Sequence, residues 1–177
     1  MPSTPIRLAT AVAAAAFALP ALAAGPLTSP AELAAMIEAG DVAVIDIRGP
    51  VGGSGPEEFA AGHIPGAAYE MFAPKSAWMV KKDGVIGMLP ETAALEETIR
   101  ALGVDAGEQV VIVSSGKPGK ALSVAAATRV YWTFQALGHD AVSILDGGHA
   151  AWVAAGLPVT AEAVAPTPGD FTASLQP

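Results

Sequence analysis

Ser114 and Ser115 stand between an apolar run, "QVVIV" (109–113), and a glycine–lysine segment, "GKPGKA" (116–121). A strand running into a glycine-rich loop ahead of a helix is where an α/β protein places a nucleophile or an anion. A serine there attacks only with a base beside it, because its hydroxyl is far less acidic than a thiol, at about 8.5 when free. Neither flank supplies a base, and the Gly-x-Ser-x-Gly elbow of hydrolases is absent. The segment also differs from an NTPase phosphate loop, whose glycines stand further apart and whose lysine precedes Ser or Thr. What these residues allow is a pocket for a small oxyanion, formed by Ser115, Gly116, Lys117, Gly119 and Lys120 at a helix N-terminus. The same lysines also read as a solvated loop face.

A second group of polar residues lies at other strand ends. Asp46 and Arg48 follow the run "VAVI" and are expected to pair with each other or with backbone, holding the loop that follows. His63, before Ile-Pro-Gly, is a candidate base, but a histidine at a turn typically bonds backbone and fixes the loop. Asp146-Gly147-Gly148 reads as a structural strand-to-helix turn whose glycines reach conformations other residues resist. Trp132 and Trp152, at helical positions, are expected in the core, and Arg129 in a surface ion pair. His63, His139 and His149 show no ligand spacing and there is no cysteine, so neither a zinc site nor a cofactor is expected.

The elements that must position these residues are legible. "SPAELAAMIEAG" carries Ser29 as cap, Pro30 in the first turn, Glu32 completing a capping box, and Gly40 as a stop. "VAVIDI" (42–47), "EQVVIVS" and "AVSIL" (141–145) are buried strands, and "HIPGAAYEM" re-enters the sheet. "EEFAA" is a short helix, and "LPETAALEETIRALG" an amphipathic one with Ala94, Leu95, Ile99 and Leu102 on one side. "ALSVAAATRVYWTFQALG" is a long helix, "GGHAAWVAAG" a short one, and "LPV" (157–159) closes the core. Strands separated by helices imply parallel βαβ units, hence a three-layer α/β domain. "WMVKKDGVIG" (78–87) is an insertion with an Asp83-Gly84 hairpin turn.

The first 23 residues fall outside this domain. Arg7, the apolar run from Leu8 to Leu22 and the Ala21-Leu22-Ala23 motif read as a signal peptide cut after Ala23. Export, to the periplasm, follows, with no membrane span once the signal is removed. Residues 24–160 form the domain, and 161–177, rich in Ala, Pro and Thr, read as a tail or linker. The net charge of −8 argues against nucleic acid and anionic lipid as partners. Export permits disulfides, but with no cysteine in the chain stability rests on packing.

Two stretches together resemble rhodanese domains. "VIDIRG…EEFAAGHIPGA" is similar to the family's first signature, and "RVYWTFQALGHDAVSILDGGHAAWVAAGLPV" (129–159) to its C-terminal one. With the helix between them the likeness covers residues 29–160, and Tyr131-Trp132 and "MLP" resemble one half of tandem two-domain rhodaneses. The resemblance implies a parallel five-stranded sheet with helices on both faces. It also implies a persulfide-bearing cysteine directly after the run "QVVIV" (109–113), where this chain has Ser114, or Ser115 if the loop is shifted by one. Serine holds no persulfide, and Pro118 removes one N–H from the loop. Two functions of different class follow. One is a non-catalytic binding or interface module. The other is a thiosulfate- or 3-mercaptopyruvate-type sulfurtransferase component whose cysteine comes from a partner rhodanese half or another exported chain.

Overall fold

The computed structural model describes residues 25–163 and 165–175. The signal-peptide reading and its cleavage point lie outside the described residues. Five strands form one parallel sheet: β1 (Leu27–Thr28), β2 (Val42–Asp46), β3 (Ala68–Tyr69), β6 (Gln109–Val113) and β7 (Val142–Leu145), in the order β1-β7-β6-β2-β3. Strands β4 (Val80–Lys82) and β5 (Val85–Met88) make a separate antiparallel hairpin. Its turn places both Asp83 (φ 52°) and Gly84 (φ 85°) in the left-handed region, as the Asp-Gly pair implies.

The helices are α1 (Pro30–Ala39), α2 (Pro56–Ala61), α3 (Thr92–Ala101), α4 (Ala121–Ala136) and α5 (Gly148–Ala154). The capping box of α1 is formed: Ser29 N–H donates to Glu32 at 2.8 Å, and Glu32 N–H donates to Ser29 Oγ at 3.3 Å. Alternation along β6 builds two cores. Val110 and Ile112 join Leu95 and Ile99 of α3 and Val130 and Phe134 of α4, whereas Val111 and Val113 join Leu33 of α1 and Trp152 of α5. A strand buried on both faces reads as continuous apolar sequence for this reason. The three layers and five parallel strands are therefore as expected. The fifth strand is β1, while the "LPV" segment leaves Val159 half exposed.

Three further expectations are corrected. Trp132 is 48% exposed, because it lies two residues from both Val130 and Phe134 and so faces away from the buried stripe of α4. Arg129 makes no ion pair among the described residues. It donates to the Gly87 carbonyl at 3.0 Å and stacks on Trp132, tying the hairpin to α4. Residues 165–175, within the stretch read from composition as a tail or linker, are docked against the domain. Phe171 is buried beside Phe134 and His139, and Phe171 N–H donates to Val104 O at 3.2 Å. Arg100 donates to the Phe171 carbonyl, and the Glu96 carboxylate holds both Arg100 and the Ala173 N–H. Gly169 lies so near the Val104 carbonyl that a side chain would not fit. Among the described residues no helix is long and apolar enough to cross a membrane.

Candidate functional site

Strands β2, β6 and β7 all end at the same edge, so Asp46, Ser114 and Asp146 meet there by topology alone. Ser114 and Ser115 are 6% and 3% exposed. Their carbonyls accept the His149 and Ala150 N–H groups of α5 at 2.8 and 3.1 Å. This close approach needs glycine. At Gly116 (φ 63°) a Cβ would run into the Gly147 carbonyl, and at Gly148 (φ 59°) into that of Ser114.

Beyond Ser114 the loop turns its donors inward. Ser115 N–H and Gly116 N–H both donate to Ser123 Oγ, at 3.1 and 3.4 Å. Ser115 Oγ donates to the Gly52 carbonyl at 2.8 Å, so at its 3.0 Å contact with Ser123 Oγ it must be the acceptor. The chain of hydroxyls thus closes on the 3₁₀ turn Pro50–Gly52. Lys117 follows the same direction, donating from Nζ to the Gly53 carbonyl at 2.7 Å. Ser114 differs: its hydroxyl has no hydrogen-bond partner among the described residues. It lines a groove of about 400 Å³ together with Gly116, Lys117, Gly119 and Lys120. Of the residues considered for an oxyanion, Ser115 is the one the groove does not include.

Asp46, Arg48 and His63 form a separate buried cluster. Arg48 donates through Nε to Asp46 at 2.8 Å, through one terminal nitrogen to Gly62 O at 2.9 Å, and through the other to His149 Nδ1 at 3.2 Å. Tyr69 OH donates to the Arg48 carbonyl at 2.7 Å. His63 donates from Nδ1 to Phe59 O at 2.9 Å and stacks on the Phe59 ring. Burial pushes the Asp46 carboxyl up against the opposing pull of Arg48, and burial pushes the Tyr69 hydroxyl to about 12. Sequence reasoning missed His149 and Ser123. Neither carries a local signal, since each acts through a partner in another part of the chain.

His149 gives the site a pH dependence. A guanidinium only donates, so His149 Nδ1 accepts and the ring is neutral. Burial, then the Arg48 charge, lowers its value to about 4. Between 6.5 and about 4 the unfolded chain takes up a proton that the folded chain refuses, so stability falls as pH drops through that window. Urea unfolding from pH 7.5 to 4.5 should show the loss, and His149→Gln, which keeps an acceptor, should reduce it to the share left by His139, whose value burial also lowers. Asp46 is common to both proteins and cancels in their difference. Equal slopes would remove His149 as the cause. Among the described residues no His, Asp or Glu cluster is placed to hold a metal ion.

Comparison with known proteins adds a family. Residues 29–155 match the rhodanese-like domain. The chain is 38% identical to the 3-mercaptopyruvate sulfurtransferase of Homo sapiens over 120 residues, covering 68% of this chain and 38% of that protein. It is 36% identical to a probable 3-mercaptopyruvate sulfurtransferase of Pseudomonas aeruginosa, covering 85% and 52%. Among solved structures, the 3-mercaptopyruvate sulfotransferase SseA of Escherichia coli superposes with a TM-score of 0.68 at 26% identity. That match covers 87% of this chain and 57% of SseA. The chain thus spans about 38–52% of the length of these two curated relatives.

Proposed function

The chain belongs to the rhodanese-like domain family, and on that premise we propose that it is an exported binding or interface module. It carries a small oxyanion pocket beside its serine loop and does not transfer sulfur on its own. The observation that carries this reading is the loop itself. Serines occupy both positions after β6, no cysteine exists in the chain, and the Ser115 and Gly116 N–H groups are committed to Ser123 Oγ. A persulfide would need both the thiol and those free donors. Pro118, which is exposed, matters less than Ser123 to the state of the loop.

The interface half of the reading is supported by an apolar surface. Val85, Ile86 and Met88 of the hairpin are 55%, 69% and 42% exposed, and Arg129 joins that hairpin to the exposed Trp132. Large apolar side chains exposed together on one element are a feature of surfaces that associate. Export is supported by the order of Arg7, the apolar run and Ala21-Leu22-Ala23. A second reading, a sulfurtransferase component completed by another chain's cysteine, is favoured by the 36–38% identity to 3-mercaptopyruvate sulfurtransferases.

The test is the chain recovered from the periplasmic fraction, its mass beginning at Ala24, assayed for sulfur transfer from thiosulfate to cyanide. No turnover above a heat-treated control is expected, and Ser114→Cys should remain far below a rhodanese of the same family because Ser123 still holds the loop. Turnover by the unaltered chain, or full activity on Ser114→Cys, would overturn the non-catalytic reading. Activity that arises only on mixing with a cysteine-bearing rhodanese domain would favour the second. Retention of residues 1–23 in the membrane fraction would overturn export.

A further inference from the structure

The groove beside Ser114 has two chemically different ends. One wall, from β1, β7 and α4, is apolar: Leu27, Ile144, Leu145 and Val124 line it, and Leu27 and Val124 are 55% and 63% exposed. At the other end lie Ser114 and the start of α4. That helix has 16 residues, and its N-cap, Lys120, gives it no side-chain cap, because an ammonium group has no acceptor to offer. Of its first N–H groups, those of Lys120 and Ser123 donate to the Lys117 and Lys120 carbonyls at 3.2 and 2.8 Å, which leaves those of Ala121 and Leu122 with no acceptor among the described residues and with the positive character of the helix end. Ser114, 6% exposed and without a hydrogen-bond partner among the described residues, adds a hydroxyl to the same end. Lys117 and Lys120 stand at the rim, and the Asp146 carboxylate lies on the lining as well. A volume of about 400 Å³ is within the usual range of small-molecule sites.

An inorganic oxyanion would use only the polar end and leave the apolar wall wet. We propose that this groove binds a small monocarboxylate with an apolar body, the carboxylate at Ser114 and the α4 N-terminus and the hydrocarbon along Leu27, Val124 and Ile144. The proposal rests on the oxyanion pocket reading and narrows its ligand class. The single negative charge is what the site accommodates, because Asp146 offsets part of the field of the two lysines.

Titration of the amide signals of the purified chain with acetate, butyrate and hexanoate tests this, with sulfate and hexanol as controls. Affinity should rise about fourfold for each methylene that leaves water, the equivalent of ~0.8 kcal/mol. Hexanoate should shift Leu27, Val124 and Ile144 together with Gly116 to Leu122, and sulfate only the latter, weakly. Ser114→Ala should weaken hexanoate about tenfold, as expected for a hydrogen bond to a charged group, and leave hexanol unchanged. An affinity that stays flat with chain length while sulfate still shifts Gly116 to Lys120 overturns this inference and leaves the oxyanion pocket standing. Hexanol binding as tightly as hexanoate overturns it too. No shift with any of these ligands removes both.

Discussion

Replacing Arg48 by methionine is expected to destabilise the fold by about 3–5 kcal/mol, the range for a buried charge left without its partner. The Asp46 carboxylate is fully buried and its ion pair with Arg48 is 2.8 Å long. Removal of the guanidinium also orphans the Gly62 carbonyl and His149 Nδ1, which no other described side chain reaches. Asp46 keeps one donor, the Arg48 backbone N–H at 3.0 Å, which does not replace a full charge. Urea unfolding at pH 7 measures the loss as a lower midpoint at constant slope. Adding Asp46→Asn to Arg48→Met should restore part of it, because the uncompensated charge is then gone. A cost below about 1 kcal/mol would mean that water screens the pair as it screens surface pairs.

Phe171→Ala is expected to cost about 3–5 kcal/mol, as for a fully buried aromatic whose cavity cannot collapse. Phe171 is 1% exposed, and its ring meets Phe134 edge-on at 6.1 Å and His139 at 5.5 Å. Around it the segment is held by backbone and side-chain bonds to Val104, Leu137, Arg100 and Glu96, so the surroundings have little freedom to close over a void. Removing residues 165–175 should cost more than Phe171→Ala, since it exposes the Phe134 surface and frees Arg100. Thermal unfolding of both variants beside the full chain decides it. A truncated chain melting within a degree or two of the full one would show that the docked segment contributes nothing.

Much of the scaffold was legible because its signals are local. Val110 to Val113 are apolar without a break since both faces of β6 are covered, and Ser29 with Glu32 announces a helix start within four residues. The Asp83-Gly84 turn needs only its own two residues. What was hidden depends on distant partners. Phe171 is a lone aromatic in an Ala-, Pro- and Thr-rich stretch, and its neighbours Phe134 and Val104 are far away in sequence. The site followed the same division. The serine pair and its lysines could be picked out by type, but not that Ser115 closes on Gly52 or that Ser123 takes the loop's donors. Trp132 was readable in principle: Ala126, Ala127, Val130 and Phe134 mark the inward stripe of α4, and position 132 falls off it.

The contact of Gly116 with Gly147, and of Gly148 with Ser114, restricts how this protein can be diversified. The serine loop and the entry to α5 interlock like two teeth, so neither can be lengthened or given a side chain at those points without parting the other. A randomised library across 114–120 would therefore lose most members carrying anything but glycine at 116. Positions 117, 118 and 120, which face solvent, would tolerate wide variety. Chemical novelty can enter this loop from its outer rim, while its inner half stays committed to joining two helices to one sheet.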